Sequence, residues 1–306
     1  MPPPIVVGVE DSFRAQDAIA LAGDLARPAG AEVIAVSAFP FDERPSEHYN
    51  RALLDPMREA AELTLERLCD PIADLPVRRV AIPDPAPARA LLRVAADTDA
   101  GLLVVGSSHG RFTGQVAAGS TGRRLLQGAP LPVALAPQGH RMRPHLTWGR
   151  VTVGFDGSPE ALRAVLAASA LATASGRGLR VVRVCPPEAP APPWLNVAPG
   201  YLRVMPTARW AAEDELARIV RALPDTEGAL IEGDPATELA RESELADMLV
   251  LGPRNYGPPG CVSLGDVGER LAEQAACPLV YLPQGLAAPL ASLFGSYGKV
   301  LTGSAA

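Results

Sequence analysis

The sequence predicts an α/β protein made of two doubly wound domains in tandem. Its 306 residues suffice for about two domains of ordinary size. Short apolar runs rich in β-branched residues alternate with amphipathic stretches, which is typical of strands that alternate with helices. Blocks of sequence also recur in the same order in the two halves. Because the apolar runs are continuous, the strands are expected to be buried on both faces of a mostly parallel sheet.

Four blocks carry the internal repeat. Ile5–Ser12 resembles Val151–Ser158, and Leu102–Ser107 resembles Met248–Pro253, with the glycines displaced by 146 residues in both blocks (154 − 8 and 252 − 106). Two further matches are Ala129–Pro137 with Ala276–Pro283, and Pro83–Ala86 with Gly233–Ala236. Four blocks in one order indicate a tandem duplication.

The apolar runs place the elements in order along each half. In the first half, strands are predicted near 4–9, 31–38, 76–82, 101–106 and 132–136, with helices near 13–28, 49–70, 86–97 and 120–128. In the second half, strands are predicted near 150–155, 178–184, 228–232, 247–252 and 278–282. Ligands of such sheets bind beyond the carboxyl ends of the strands, where the strand order reverses. This places Gly8–Ser12, the end of the 31–38 strand and the loop after Gly106 at one mouth.

The predicted domains span residues 1–139 and 140–285, followed by a tail at 286–306. The polar stretch Gln138–His145 contains Gly and Pro and is interpreted as a linker. Pro186–Pro193 is interpreted as an extended loop, because proline lacks an N–H donor. The tail carries apolar residues at helical spacing, so a frayed end and an added helix that docks on a partner both stay open.

Composition and charge argue against several classes of protein. Lys+Arg is 28 and Asp+Glu is 34, a net charge of −6, so a protein that coats nucleic acid is not expected. No apolar run is long enough to span a membrane, and the first residues lack the basic start of a secretory signal. The four cysteines have no CxxC spacing, which favours free thiols in a reducing cytoplasm over disulfides or zinc.

The loop after the fourth strand could carry a binding function. It runs from Gly106 to Thr121, and Gly119-Ser120-Thr121 opens the next helix. A helix start presents unpaired N–H groups that suit phosphate, to which Ser120 or Thr121 could add a hydroxyl. The alternative is that these residues simply cap the helix. The following Arg123 and Arg124 could reach a phosphate or form surface ion pairs.

Asp84 and Asp234 recur before predicted helices, which invites a catalytic interpretation. The pattern Asp-Pro-Ala is better explained as a turn and helix start, with the aspartate capping the helix and the proline in its first turn.

The combined pattern resembles the universal stress protein family, in the tandem form common in actinobacteria. The motifs are the first strand ending Val-Gly-Val/Phe followed by an acidic residue, Asp-Pro-Ala before a helix, the late Val-Val-Gly…Gly-Ser-Thr loop and a closing Ala-Pro-x-Pro-Val strand. The resemblance implies five-stranded, adenine nucleotide alpha hydrolase-like domains that bind ATP, with Mg as a companion ion. It also implies pairing of the domains about their last strands, so that Val133–Ala136 lies beside Leu279–Leu282 in an internal pseudo-dimer.

The family's binding loop has the form Gly-x2-Gly-x9-Gly-Ser/Thr and holds the triphosphate, while an Asp after the first strand holds the ribose. The first half matches this in part, with His109 in the place of the middle glycine and Glu10 in the place of the Asp. Asp11 could substitute for that Asp. The residues assigned to the site in this half are Glu10, Ala38, Gly106, His109, Gly119, Ser120 and Thr121.

The second half keeps the Asp but changes the loop. Asn255 replaces the middle glycine and Asp266 replaces the Ser/Thr, where it is expected to cap the helix. A carboxylate there would repel phosphate, and Pro253 removes a backbone donor. The residues assigned to this site are Asp156, Val184, Gly252 and Gly265. ATP is therefore expected in the first domain rather than in the second.

The function implied by the resemblance is regulatory ATP binding in a stress response, without catalysis. The sequence lacks GxxxxGK[ST] and HExxH motifs. The alternative is a nucleotide-free module with degenerate pockets that acts through an unknown protein partner, and weak ATPase activity is a third hypothesis. A cytoplasmic protein that forms a homo-oligomer or an internal pseudo-dimer is expected, with no nucleic-acid or membrane partner.

Overall fold

The computed structural model describes residues 1–41, 53–108, 116–142, 149–187, 208–253, 260–285 and 292–294. The first half comprises β1 (Ile5–Gly8), α1 (Phe13–Ala29), β2 (Val33–Phe39), α2 (Leu54–Cys69), β3 (Val77–Pro83), α3 (Pro87–Asp97), β4 (Leu102–Gly106), α4 (Ser120–Leu126) and β5 (Val133–Ala136). The second half comprises β6 (Arg150–Gly154), α5 (Pro159–Ala174), β7 (Gly178–Cys185), α6 (Ala208–Ala222), β8 (Thr226–Glu232), α7 (Pro235–Glu244), β9 (Met248–Leu251), α8 (Asp266–Gln274) and β10 (Leu279–Tyr281).

Serine caps start the first helix of each half. The Ser12 hydroxyl accepts a hydrogen bond from the Ala15 amide (3.3 Å), and the Ser158 hydroxyl accepts one from the Ala161 amide (3.0 Å). Helix α1 ends at Gly30, whose φ of 61° is the left-handed conformation that glycine tolerates. These caps define the turns that follow β1 and β6, where the candidate sites lie.

The ten strands of the described residues form one sheet in the order β3-β2-β1-β4-β5-β10-β9-β6-β7-β8. Within each half the strands are parallel, and the two halves join through the antiparallel pair of β5 and β10, in which Ala134 lies opposite Val280. The predicted α/β class, the doubly wound topology and the internal pseudo-dimer are all confirmed.

The join between the halves has an approximate two-fold symmetry. The Val116 amide donates to the Ala275 carbonyl (2.8 Å), and the Val262 amide donates to the Ala129 carbonyl (2.8 Å). Each pair is the other displaced by the repeat length. The segments just before α4 and α8 therefore each bond to the opposite half.

Helices cover both faces of the sheet. Apolar side chains of α1, α2, α5 and α6 pack on one face, and those of α3, α4, α7 and α8 pack on the other. The β4 and β9 strands are buried along their length, apart from Gly106 at the end of β4. Burial on both faces explains the continuous Val/Leu runs of the sequence.

The start of the predicted linker packs against α1. The amides of Gly139 and Arg141 donate to the carboxylate of Asp17 (2.8 and 3.0 Å), and His140 Nε2 lies 3.0 Å from the Asp24 carboxylate. Asp17 and His140 are both buried. Residues 139–142 are thus a docked turn rather than a free connection, and 143–148 lie outside the described residues.

Part of the tail is buried. Leu293 and Phe294 join the apolar core on the α1 and α5 side of the sheet. The interpretation as a frayed end is wrong for these residues, because large apolar side chains gain free energy by leaving water. The rest of the tail, and residues 188–207 with most of the Pro-rich segment, lie outside the described residues.

Candidate functional site

A crevice of about 290 Å³ opens where the strand order of the first half reverses, between β1 and β4. This first crevice is lined by Gly8–Glu10, Arg14, Ala15, Val36, Ala38, Pro87, Leu91, Val105–Ser108 and Gly119–Gly122. Six of the seven residues assigned to this half lie around it: Glu10, Ala38, Gly106, Gly119, Ser120 and Thr121. The seventh, His109, lies outside the described residues.

Close packing of β4 against α1 forms the back of the crevice. A Cβ atom on Gly106 would lie 2.5 Å from the backbone oxygen of Arg14, closer than any side chain allows. Glycine therefore lets the strand end come down onto the first turn of α1. The floor is apolar, with side chains of Val36, Leu91 and Val105.

The acidic side of the crevice is formed by Glu10. Its carboxylate accepts a hydrogen bond from the Ser12 hydroxyl (3.0 Å) and lies 3.7 Å from the guanidinium of Arg14. The neighbouring Asp11 was a candidate substitute, and the structure turns it away, because it pairs with Arg67 on α2 at 2.5 Å. Glu10 is thus the carboxylate that a sugar hydroxyl could reach.

The opposite side is the backbone at the start of α4. Gly119 is the N-cap, in extended conformation, and no side chain caps the helix. The alternative that Ser120 or Thr121 caps α4 is therefore wrong, because both already lie within the first helical turn. A Cβ at Gly119 would lie 3.2 Å from the Cβ of Ser108, so a side chain there would require Ser108 to shift by a few tenths of an ångström.

Two neighbouring features brace this side. The Ser107 hydroxyl donates to the Ala136 carbonyl (2.6 Å) and accepts from the Ala117 amide (3.1 Å). Arg123 donates to the Ala118 carbonyl (3.2 Å) and pairs with Glu273 of the second half (3.1 Å). The surface ion-pair alternative is thus confirmed for Arg123.

Arg14 is the basic residue that sequence reasoning missed. It lines the first crevice from the first turn of α1. The available signal was its place in the first turn of the helix predicted near 13–28, just after the strand end that carries Glu10. A cation beside the crevice favours an anionic ligand.

The second half has a matching crevice of about 320 Å³. This second crevice is lined by Gly154–Asp156, Ser158, Ala161, Val182, Val184, Pro235, Leu239, Leu251–Pro253, Ser263–Gly265, Val267, Gly268 and Tyr281. It includes all four residues assigned to this half: Asp156, Val184, Gly252 and Gly265. Asn255 lies outside the described residues.

Asp266 begins α8 without capping it. Gly265 is the N-cap and Asp266 occupies the first helical position, where Ser120 stands in α4. The prediction that Asp266 caps the helix is wrong, because Asp266, like Ser120, already lies within the first helical turn. Its carboxylate is exposed beside lining residues on both sides.

Other polar groups of the second crevice are engaged. The Asp156 carboxylate accepts a hydrogen bond from the Ser158 amide (2.9 Å). The Tyr281 hydroxyl donates to the Gly268 carbonyl (2.8 Å), and burial raises the pKa of Tyr281. The phenol is therefore a fixed, neutral part of the wall.

Asp84 and Asp234 do not line either crevice in the described part of the chain. Asp234 caps α7 as predicted, by accepting from the Thr237 amide (3.0 Å), and its hydrogen bond with Arg270 lowers its pKa to about 2. Asp84 differs from the prediction, since Ala86 is the N-cap of α3.

The Asp-Pro-Ala match is out of register in space. Pro87 and Leu91 line the first crevice at the places that Pro235 and Leu239 occupy in the second. The structural repeat is therefore shifted by two residues from the sequence match in this segment. The repeated Asp-Pro-Ala tripeptide therefore does not occupy equivalent positions in the two halves.

The described part of the chain holds neither a metal cluster nor a membrane-spanning helix. Among the described residues, no three His, Cys, Asp or Glu side chains cluster as a metal site. None of the described helices is both long and apolar enough to cross a membrane.

Comparison with known proteins matches both halves to one family. A model of the universal stress protein family fits residues 1–137 and 147–283. A universal stress protein of Mycobacterium tuberculosis is 29% identical over 200 residues, which cover 61% of this chain and 63% of the relative. The aligned part thus spans less than two thirds of that relative's length.

Solved structures share the fold. A crystal structure of a universal stress protein from Archaeoglobus fulgidus has a TM-score of 0.64 at 17% identity and covers 92% of this chain and 98% of its own. Another from the same organism, in complex with dAMP, is 23% identical and covers 44% of this chain and 97% of its own, with a TM-score of 0.33. This structural similarity is too low to locate a ligand in the present chain.

Proposed function

The chain belongs to the universal stress protein family, and on that premise we propose that its first crevice binds ATP as a regulatory ligand in a stress response. One observation carries the proposal. The fold brings Glu10, the Gly119–Thr121 backbone and Arg14 to the two sides of one apolar-floored crevice at the strand switch point. This is where doubly wound sheets bind their ligands.

The geometry divides the ligand into two parts. The apolar floor of Val36, Leu91 and Val105 suits a flat base, and the exposed carboxylate of Glu10 can accept hydrogen bonds from ribose hydroxyls. The amides that begin α4 and the guanidinium of Arg14 favour the phosphates. Magnesium, if it accompanies ATP, would be held mainly by the phosphate oxygens.

A regulatory role fits the residues better than turnover does. The sequence holds one lysine, Lys299, and this lysine is not part of a phosphate-loop motif. The carboxylate of Glu10 is held in place by a hydrogen bond from Ser12 and an ion pair with Arg14. A carboxylate fixed in this way suits ligand binding better than proton transfer. In this proposal the protein acts in the cytoplasm. Bound ATP changes the surface with which it contacts a partner protein.

The decisive experiment is a thermal melt of nucleotide-stripped protein with ATP. Ligand that binds the folded state at about 100 times its Kd stabilises it by about 2.7 kcal/mol, so the melting temperature is expected to rise. Gly119→Ala is expected to weaken ATP binding about tenfold, because its Cβ crowds Ser108 at the crevice. The matched variant Gly265→Ala, in the second half, is expected to keep the shift.

Two results would contradict the proposal. The first is a melting temperature that does not respond to millimolar ATP, which would favour the nucleotide-free interaction module. The second is a shift that Gly265→Ala abolishes and Gly119→Ala leaves intact. Phosphate release above that of a Ser120→Ala control would instead revive the ATPase hypothesis.

A further inference from the structure

The two crevices share one floor. Five positions of the first crevice have apolar or glycine counterparts in the second, displaced by the repeat length or by two residues more. The pairs are Val36 with Val182, Ala38 with Val184, Leu91 with Leu239, Val105 with Leu251, and Gly122 with Gly268. The part of the pocket that would hold a base and a sugar is therefore present twice.

Two positions around that floor differ in charge, while each crevice keeps one carboxylate, Glu10 or Asp156. Where Ser120 begins α4, Asp266 begins α8 with an exposed carboxylate. Where Arg14 lines the first crevice, the matching position of α5 holds Glu160. Glu160 is buried, pairs with Arg163 and accepts a hydrogen bond from the Gly285 amide (3.2 Å).

Among the described residues that line the second crevice, Asp156 is the sole charged one. Two guanidiniums on adjoining elements are committed elsewhere: Arg183 pairs with Glu215 and lies 5.6 Å over the Phe155 ring, and Arg270 pairs with Asp234 at 2.7 Å. A phosphate placed as in the first crevice would meet the carboxylate of Asp266 instead of a hydroxyl. Like charges repel.

We propose that the second crevice binds an unphosphorylated nucleoside and rejects nucleotides. The inference rests on the proposed function for the base and the ribose, which the shared floor and Asp156 would hold. Asp266 supplies the selection, because it leaves a neutral ligand unaffected and repels a phosphate. The chain would then have one site for ATP and one for its dephosphorylated counterpart.

The test is a calorimetric titration of the full chain with adenosine and, separately, with ATP. For the unsubstituted protein we expect two adenosine sites and one ATP site per chain. Asp266→Ser copies the first crevice and is expected to create a second ATP site with at least tenfold tighter binding there. Asp266→Asn, which removes the charge and keeps the shape, is expected to act in the same direction.

The reciprocal variant Ser120→Asp copies the second crevice into the first. It is expected to weaken ATP binding at least tenfold while both adenosine sites remain. Because residues 120 and 266 are both exposed, neither exchange disturbs the core. Asp156→Ala is expected to weaken adenosine binding in the second crevice, and Glu10→Ala in the first. Comparing the two variants therefore assigns each adenosine site to its crevice.

Three outcomes would overturn the proposal: a single adenosine site that Asp156→Ala leaves intact, ATP bound by the second crevice of the unsubstituted protein, or no gain of ATP binding in Asp266→Ser. Failure of the proposed function looks different, since ATP would then be absent from the first crevice while adenosine still binds the second.

Discussion

Asp84 and Asp234 show how one sequence motif can serve two purposes at the scale of single residues. Asp84 is buried, accepts a hydrogen bond from the Ala86 amide (2.8 Å) and makes a two-point contact with Arg89 (2.9 and 2.7 Å). Asp234 is an exposed cap. The buried carboxylate therefore has more to lose from substitution than the exposed one.

Asp84→Asn is expected to lower the free energy of unfolding by about 2 kcal/mol at neutral pH, because a buried charged hydrogen bond is lost. The hydrogen bond with Arg89 holds the pKa of Asp84 below its ordinary value. This stabilisation is thus complete above the unfolded-state pKa of about 3.9 and disappears as the pH falls through the lower folded-state pKa. Urea unfolding at several pH values measures it.

The control for that prediction is Asp234→Asn, which keeps a capping side chain and is expected to cost less. An Asp84→Asn penalty that persists unchanged at pH 2 would show that the charge is not its source.

The places of the assigned residues at the strand ends were predictable from the sequence, but side-chain directions were not. Ten of the eleven assigned site residues lie around the two crevices, because motif spacing follows strand ends and helix starts. The turn of Asp11 toward Arg67 depends on α2, which is distant in sequence. The role of Arg14 likewise appears only when α1 packs beside β4.

At the scale of elements, the contact between a strand end and the first helix sets the depth of each crevice. Gly106 meets the backbone oxygen of Arg14, where a Cβ would lie 2.5 Å away, and Gly252 meets that of Glu160 at a looser 3.3 Å. The two glycines are equivalent in the repeat, so they form a matched pair for experiment.

Gly106→Ala is expected to destabilise the protein by about 1–3 kcal/mol, because backbone must move to admit the methyl group. Gly252→Ala is expected to cost less, since its neighbour must yield by only a few tenths of an ångström. Chemical denaturation of both variants measures the difference. Equal losses, or a larger loss for Gly252→Ala, would contradict the geometry.

The strands were predictable to within about two residues, because most of the inner ones are continuous apolar runs buried on both faces. The edge strands β3 and β8 are partly exposed. The capping residues of the helices were harder to predict than the strands. Serine, threonine and aspartate are good caps, yet at α4 and α8 glycine caps instead. At Gly119, a Cβ would lie 3.2 Å from that of Ser108, a contact between segments that local propensity does not report.

At the scale of the whole molecule, one ten-stranded sheet and reciprocal hydrogen bonds hold the halves together. This pairing was predictable from the family resemblance, not from the residues alone. The docking of His140 on α1 and of Leu293 in the core was not predictable, since both depend on contacts between distant segments.

The halves are expected to stay associated after the chain is cut. A protease site inserted within residues 143–148 would sever the connection while β5, β10 and the Arg123–Glu273 ion pair remain. The cut protein should elute from a sizing column as intact protein does, and should unfold in one transition. Separate elution of the two fragments at micromolar concentration would contradict a shared sheet.

The reciprocal hydrogen bonds of Val116 with Ala275 and of Val262 with Ala129 join two copies of one domain within a single chain. This affects how the two crevices can change by mutation. When two identical chains assemble, every substitution appears in both copies, so a change that suits one pocket is imposed on the other. Here the copies are joined in one chain, and a codon can change on one side alone. The shared frame stays symmetric while Ser120 and Asp266 are free to specialise.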